Sequence, residues 1–241
     1  MTVNSAGQLR LKLFMDGVDL PAMRSAYLAG SVAGFTTNPS LMRRGGVTDY
    51  EQFARTAIRD LPDLPLSLEV FSNEPEEMER EARTIASWGG YTYVKIPITN
   101  TRGESTIPLI ERLSHDGLRV NVTAILTLEQ VRAVAAVLSH ETPSIVSVFA
   151  GRIADTGIDP VPLMTEAVAI LAPNPKAELL WASPRELLNL FQASQCGCHI
   201  LTATQDILKK LALVGRDLDE YSLETVQMFY DDACAAGYKI R

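Results

Sequence analysis

Four polar residues, Glu69, Lys95, Asn121 and Ser147, stand at the ends of apolar runs and follow one another at intervals of 26 residues. Asp16 and Asn38 hold equivalent places upstream, and Ser183 does so downstream, after Leu179-Leu180-Trp181-Ala182. An interval of that length holds one strand, one helix and two turns, so the pattern predicts a repeated strand–helix plan with its chemistry at the strand ends.

Apolar and β-branched runs near 9–16, 32–37, 65–71, 91–97, 118–124, 143–149, 177–183 and 198–203 read as strands. Helical spacing, with charge on one face and Leu, Ile, Ala or Val on the other, marks stretches near 18–29, 49–60, 75–88, 104–116, 127–139, 160–172, 184–195 and 204–213. Eight such pairs predict an α/β fold, a closed (β/α)8 TIM barrel over residues 1–241 as one domain, close to the usual length of about 250 residues. Punctuation agrees: Asn73 precedes Glu74-Pro75 at a helix start, Gly30 and Gly89-Gly90 follow helix ends, and Thr127-Leu-Glu-Gln130 has the form of a capping box. An extra helix near 222–235 has no strand after it. It must pack on the barrel, over its mouth or on another subunit.

Charge narrows the partners. With 22 Lys+Arg against 29 Asp+Glu the formal net charge is −7, which argues against a basic face for nucleic acid and asks for locally placed arginines if the substrate is anionic. Met1–Arg10 is short and polar and Lys12 follows, so neither a leader nor a membrane span is expected, and the default location is cytoplasmic. Cys196, Cys198 and Cys234 are odd in number and Cys196-Gly-Cys198 lacks the two-residue gap of redox or zinc motifs, so plain thiols are expected. His115, His140 and His199 are not spaced as ligands, which leaves no expected metal. Without a Gly-rich phosphate loop carrying a lysine, no cofactor is expected either. Trp88 and Trp181 read as packing residues.

In a barrel of this kind the strand ends converge on one active-site face. Singly, Lys95 could be an exposed lysine, Glu69 an ion-pair partner and Asn121 a turn former. Together they say more, because a lysine between Val94 and Ile96 is costly to bury without a purpose. Desolvation favours its neutral amine, the form that attacks a ketone or aldehyde to give a Schiff base. Asp16 and Glu69 can then move protons, one at the bond being cleaved and one during imine formation.

Leu13-Phe-Met-Asp16, Thr36-Thr-Asn-Pro-Ser40, Val94-Lys-Ile-Pro97, Asn121-Val-Thr123 and Ser147-Val-Phe-Ala-Gly-Arg152 occur in that order, and in them the chain resembles the transaldolase family over nearly its whole length. The resemblance implies that Lys95 forms the imine with a ketose phosphate and that Asp16 takes the proton from the hydroxyl beyond the breaking bond. An aldose leaves, and a three-carbon enamine stays. Glu69, through a water that Thr123 helps to hold, would serve the carbinolamine steps. Thr37, Asn38, Asn121, Ser147, Phe149 and Ser183 would line the bound dihydroxyacetone unit, and Arg152 and Arg185 match phosphate-binding positions. Arg152 follows Gly151 beyond strand six, and Arg185 is expected at the start of the seventh helix, where backbone donors also favour an anion. The partners so implied are a ketose phosphate donor and an aldose phosphate acceptor.

Relatives that resemble fructose-6-phosphate aldolase release free dihydroxyacetone, and carry glutamine and tyrosine where this chain has Glu69 and Phe149. A phenylalanine has no hydroxyl to protonate the carbanionic carbon, so transfer is expected over release. A catalytically dead barrel that only binds is the alternative of another class; retention of the lysine, both carboxylates and both arginines argues against it. Val214-Gly-Arg-Asp-Leu-Asp219, Pro184 and Asn100-Thr-Arg-Gly103 depart from the family pattern, and at the rim of the site they suggest a specialised acceptor. Val226, Met228, Phe229, Tyr230 and Tyr238 give the last helix more apolar surface than a solvated helix leaves in water. With the resemblance, this predicts a homo-oligomer, a pentamer or decamer.

Overall fold

The computed structural model describes residue 7 and residues 9–240; most of the polar start at 1–10 lies outside them. Eight parallel strands close a barrel in sequence order: β1 Lys12–Asp16, β2 Gly34–Thr36, β3 Leu66–Glu69, β4 Thr92–Pro97, β5 Val120–Ile125, β6 Ser144–Val148, β7 Ala177–Trp181 and β8 Ile200–Ala203. The (β/α)8 reading is confirmed, with each strand shorter than the apolar run that announced it.

Side chains alternate across each strand. In β4, Val94 and Ile96 face outward into the core beneath the helices, while Tyr93 joins Phe14, Ile145, Leu180 and Ile200 in a separate cluster filling the barrel. Two residues further along β4 the inward row reaches Lys95. Gly34 makes room for this interior: it pairs with Phe14 across β1–β2, and a Cβ on it would stand 2.5 Å from the Phe14 ring.

The outer ring begins with α1 Leu20–Leu28 and then departs from the prediction at β2, where a short helix, α2 Pro39–Arg44, precedes α3 Tyr50–Asp60. α4 Pro75–Ser87, α5 Ile107–His115 and α6 Leu128–Ala135 follow, and after β6 a second short helix, α7 Ala150–Ala154, precedes α8 Pro160–Leu171. α9 Leu188–Gln195 and α10 Gln205–Lys209, extended by a 3-10 turn at Lys210–Leu213, complete the ring. The capping box at Thr127 is present: Gln130 N donates to its Oγ1 at 3.2 Å and its own N donates to Gln130 Oε1 at 3.1 Å. Asn73 does not cap α4. Glu74 holds that position, and Asn73 Oδ1 instead accepts from Thr101 N at 2.9 Å and Thr101 Oγ1 at 2.7 Å. Those two bonds, with Arg102 held by Glu74 and Glu104, pin Asn100–Gly103 as a tied hairpin.

His199 sits at the lower end of the barrel, as expected, its Nδ1 accepting from Leu179 N at 3.0 Å. Cys196 and Cys198 are buried free thiols. The last helix, α11 Leu218–Ala236, starts four residues before the predicted 222 and contains no buried residue, so neither barrel wall nor mouth covers its apolar face. No described helix is long and apolar enough to cross a membrane.

Candidate active site

The C-terminal ends of the strands surround a cavity of about 620 Å³. Its floor is the inward row of the predicted strand ends, because β3 and β4 pair Glu69 with Lys95 and β4 and β5 pair Lys95 with Asn121. Equal spacing along the chain has become adjacency around the barrel.

Lys95 is 6% exposed. Its Nζ donates to Thr37 O at 2.7 Å and stands 2.9 Å from Glu69 Oε2. The amine is therefore buried as expected, but it is paired rather than dry and alone; the carboxylate compensates the ammonium charge and is positioned to accept its proton. Tyr50 Oη donates to Glu69 O at 2.9 Å, so a residue of α3 fixes the strand end that carries the carboxylate.

Across the floor, Asp16 accepts from Thr36 Oγ1 at 2.7 Å. Thr36 Oγ1 lies 2.5 Å from Thr202 Oγ1, and since its one proton goes to Asp16, Thr202 donates to it. Burial holds the Asp16 carboxyl above the usual carboxylate range, against the nearby Lys95 charge and the Thr36 hydrogen bond, which pull it down. Asn38 caps α2 through its Oδ1, which accepts from Leu41 N at 2.9 Å, and leaves its Nδ2 3.5 Å from Asp16 Oδ2.

A second polar chain crosses the other side: Ser147 Oγ donates to Asn121 Oδ1 at 2.6 Å, and Asn121 Nδ2 donates to Ser67 Oγ at 3.0 Å. Thr123 lines the same wall with a buried hydroxyl that has no protein partner among the described residues. The next residue, Ala124, has φ +63° and lies in the register shift between Val122 and Ile125. Bulges of this kind re-aim neighbouring side chains beside active sites. Ser183 is the other non-glycine at positive φ among the described residues (+61°), and it too lines the cavity.

The predicted residues thus converge, with two corrections. Thr37 does not line the cavity; its side chain is fully buried and donates to Ser67 O at 2.9 Å, and what it offers the site is its backbone carbonyl under Lys95. Arg185 is not at a helix start, since α9 begins at Leu188, and Asn189 Oδ1 already accepts from the N–H groups of Arg185 and Glu186 at 2.7 and 3.2 Å. Its guanidinium is engaged twice by Asp155, with Nε at 3.0 Å from Oδ1. Arg152 lines the cavity over the Phe149 ring, 5.6 Å from its centroid, with no carboxylate partner among the described residues.

Thr36, Ser67, Thr202 and Arg44 belong to the site and escaped sequence reading. The hydroxyls lie on the inward period-2 row, a signal present in the pattern; Arg44 follows from the helix that Asn38-Pro39 opens. Of the three departing segments only Pro184 lines the cavity. Residues 214–219 connect the last barrel helix to α11, where Asp217 caps α11, and 100–103 form the tied hairpin, so neither reaches the lining.

The sequence matches the family model for transaldolase/fructose-6-phosphate aldolase over residues 13–240. It is 34% identical over 203 residues to a probable transaldolase of Streptococcus equi subsp. zooepidemicus, covering 83% of this chain and 90% of that one. A probable transaldolase of a Thermoanaerobacter species (strain X514) is 31% identical over 231 residues, covering 95% of this chain and all of its own. Among solved structures, KGPDC from Streptococcus mutans superposes with a TM-score of 0.56 at 10% identity, over 86% of this chain and 94% of that one. That likeness carries the barrel fold alone. The inward floor of carboxylates and lysine lies within the matched residues, and the chain belongs to the transaldolase/fructose-6-phosphate aldolase family.

Proposed function

We infer that this protein is a Schiff-base transaldolase, moving a dihydroxyacetone unit from a ketose phosphate to an aldose phosphate. The observation that carries the reading is the buried Lys95 Nζ with the Glu69 carboxylate 2.9 Å away and Asp16 lining the same cavity. Glu69 takes the ammonium proton, and the amine attacks the donor carbonyl. Glu69 and a water at the Thr123 hydroxyl then exchange the protons that turn carbinolamine into imine and expel water. The cationic imine draws electrons from the bond between the third and fourth carbons as ionised Asp16 takes the proton of the fourth-carbon hydroxyl. The aldose leaves and the three-carbon enamine stays on Lys95. Asn121 and Ser147, fixed by their mutual hydrogen bond, offer polar contacts to its hydroxyls, as does Asn38, and Ser183 borders the same cavity.

Phe149 decides between transfer and release. It lines the cavity without a hydroxyl, so no phenolic proton reaches the carbanionic carbon and the enamine waits for an acceptor aldehyde. The two outcomes separate in one assay: fructose 6-phosphate with and without erythrose 4-phosphate, following the transferred ketose and free dihydroxyacetone together. Transfer much faster than release supports the reading. Equal rates would replace it with the aldolase alternative.

The same reading extends to assembly. α11 carries Leu223, Val226, Phe229 and Tyr230, each more than 60% exposed, on a helix that buries none of its own residues in the barrel. A second copy of the chain covers this face in a pentamer or decamer, in line with how surface of this size is normally removed from water.

A further inference from the structure

We propose that Arg44 is an anion-binding, specificity-determining residue that opposes Arg152 across the cavity mouth, so that the two guanidinium groups clamp the substrate's phosphate from opposite sides. The proposal deepens the sugar-phosphate reading of this cavity and rests on it.

Two short helices interrupt the simple strand–helix alternation, α2 after β2 and α7 after β6. In a closed eight-strand barrel in sequence order, β2 and β6 are four strands apart either way round, hence diametrically opposed. Both helices open on a residue that lines the cavity, Asn38 for α2 and Phe149 for α7, and both carry an arginine that lines it as well, Arg44 and Arg152. Neither arginine has a carboxylate partner among the described residues, whereas Arg185, the third guanidinium of the lining, is held by Asp155.

An unpaired arginine beside a cavity is notable on a chain of net charge −7, where most exposed arginines of the barrel helices find a carboxylate. Its planar fork suits a tetrahedral dianion, and two forks approaching from opposite rims reach separate oxygens of one phosphate. Arg44 also stands on the Asp16 side of the mouth, since Asn38 at the start of the same helix reaches Asp16. The leaving aldose extends from Asp16, so its phosphate lies within the span between the two arginines. Arg43, next in the chain on the same helix turn, is outside the lining and supplies a control of equal charge.

Glycerol 3-phosphate, titrated by calorimetry into the purified protein, tests this without requiring turnover. Arg44→Ala and Arg44→Gln are each expected to weaken binding about tenfold, the effect of one partly solvated charge-assisted hydrogen-bonding group, while Arg43→Ala binds as the wild type does. Wild-type affinity in both Arg44 variants overturns the clamp, as does an equal loss in Arg43→Ala, which would make the effect one of general charge. Failure of the wild type to bind glycerol 3-phosphate overturns it too. Borohydride reduction of the wild type with dihydroxyacetone separates this from the transaldolase reading. Loss of affinity in the Arg44 variants with no adduct on Lys95 leaves the clamp standing and removes that reading, and an adduct with unchanged affinity does the reverse.

Discussion

Gly151→Ala tests how the β6 and β7 loops are joined above the site. A Cβ at residue 151 would lie 1.5 Å from Ser183 O and 2.6 Å from Ser183 C, against a floor near 3.0 Å for such contacts. The obstacle is backbone, so no rotamer change relieves it; one loop must move by about the missing 1.5 Å. The N–H of Gly151 donates to Ala182 O at 3.3 Å, and Ser183 sits at φ +61°, so the movement strains a segment already in a sparsely populated conformation. Overpacking of this kind costs about 1–3 kcal/mol. For a chain of this size each kcal/mol lowers the melting temperature by about 2–4 °C. The functional loss is larger in proportion, because Ser183 and Arg152 move relative to Lys95, and a misplacement of about 1 Å costs about 100-fold in rate. Thermal melting and the coupled transfer assay read the two effects separately. A variant with the wild-type melting temperature and rate would show that the loops adjust freely and that the close approach has no bearing on the site.

Further outcomes follow from the geometry. Asp16→Asn removes the base and lowers transfer by about 10²- to 10⁴-fold. Because burial raises the folded-state value above the unfolded one, the ionised carboxylate weakens folding as pH rises through the window between the two, so Asp16→Asn melts higher than the wild type at neutral pH; a lower melting temperature contradicts the assignment. The acid limb of the wild-type pH–rate profile lies above an ordinary aspartate's for the same reason, and activity grows as pH rises through it. Phe149→Tyr restores a phenolic proton at the cavity wall and raises dihydroxyacetone release relative to transfer by about tenfold; an unchanged ratio means that the ring does not face the enamine. Light scattering of the wild type reads a pentamer or decamer, and Phe229→Glu on α11 lowers the mass; a monomeric wild type at micromolar concentration removes the assembly proposal.

Much of this was legible in the sequence because a barrel converts chain spacing into neighbourhood. Glu69, Lys95 and Asn121 stand side by side since one strand–helix unit separates each from the next. Period-2 alternation then sends them inward together with Tyr93 and Phe14. The hydroxyls of Thr36, Ser67 and Thr202 share that inward row and were overlooked on it, whereas the short helices escaped because they have no period. α2 and α7 hold six and five residues, too few for an amphipathic stripe to show, so the loops bearing Arg44 and Arg152 looked irregular. Thr37 lay beside the right residues but one position off the inward row, and its hydroxyl turns to Ser67 O. The Asp155–Arg185 pair joins residues thirty apart in sequence, and only the folded loops bring them together.

The central claim is that Lys95 carries the donor as an imine. Reduction with borohydride in the presence of fructose 6-phosphate, followed by intact mass and peptide mapping of the wild type and Lys95→Met, tests it directly. The account predicts a three-carbon adduct on the Lys95 peptide of the wild type and none on the folded variant. A folded wild type that acquires no adduct, or acquires it on another lysine, would contradict the assignment.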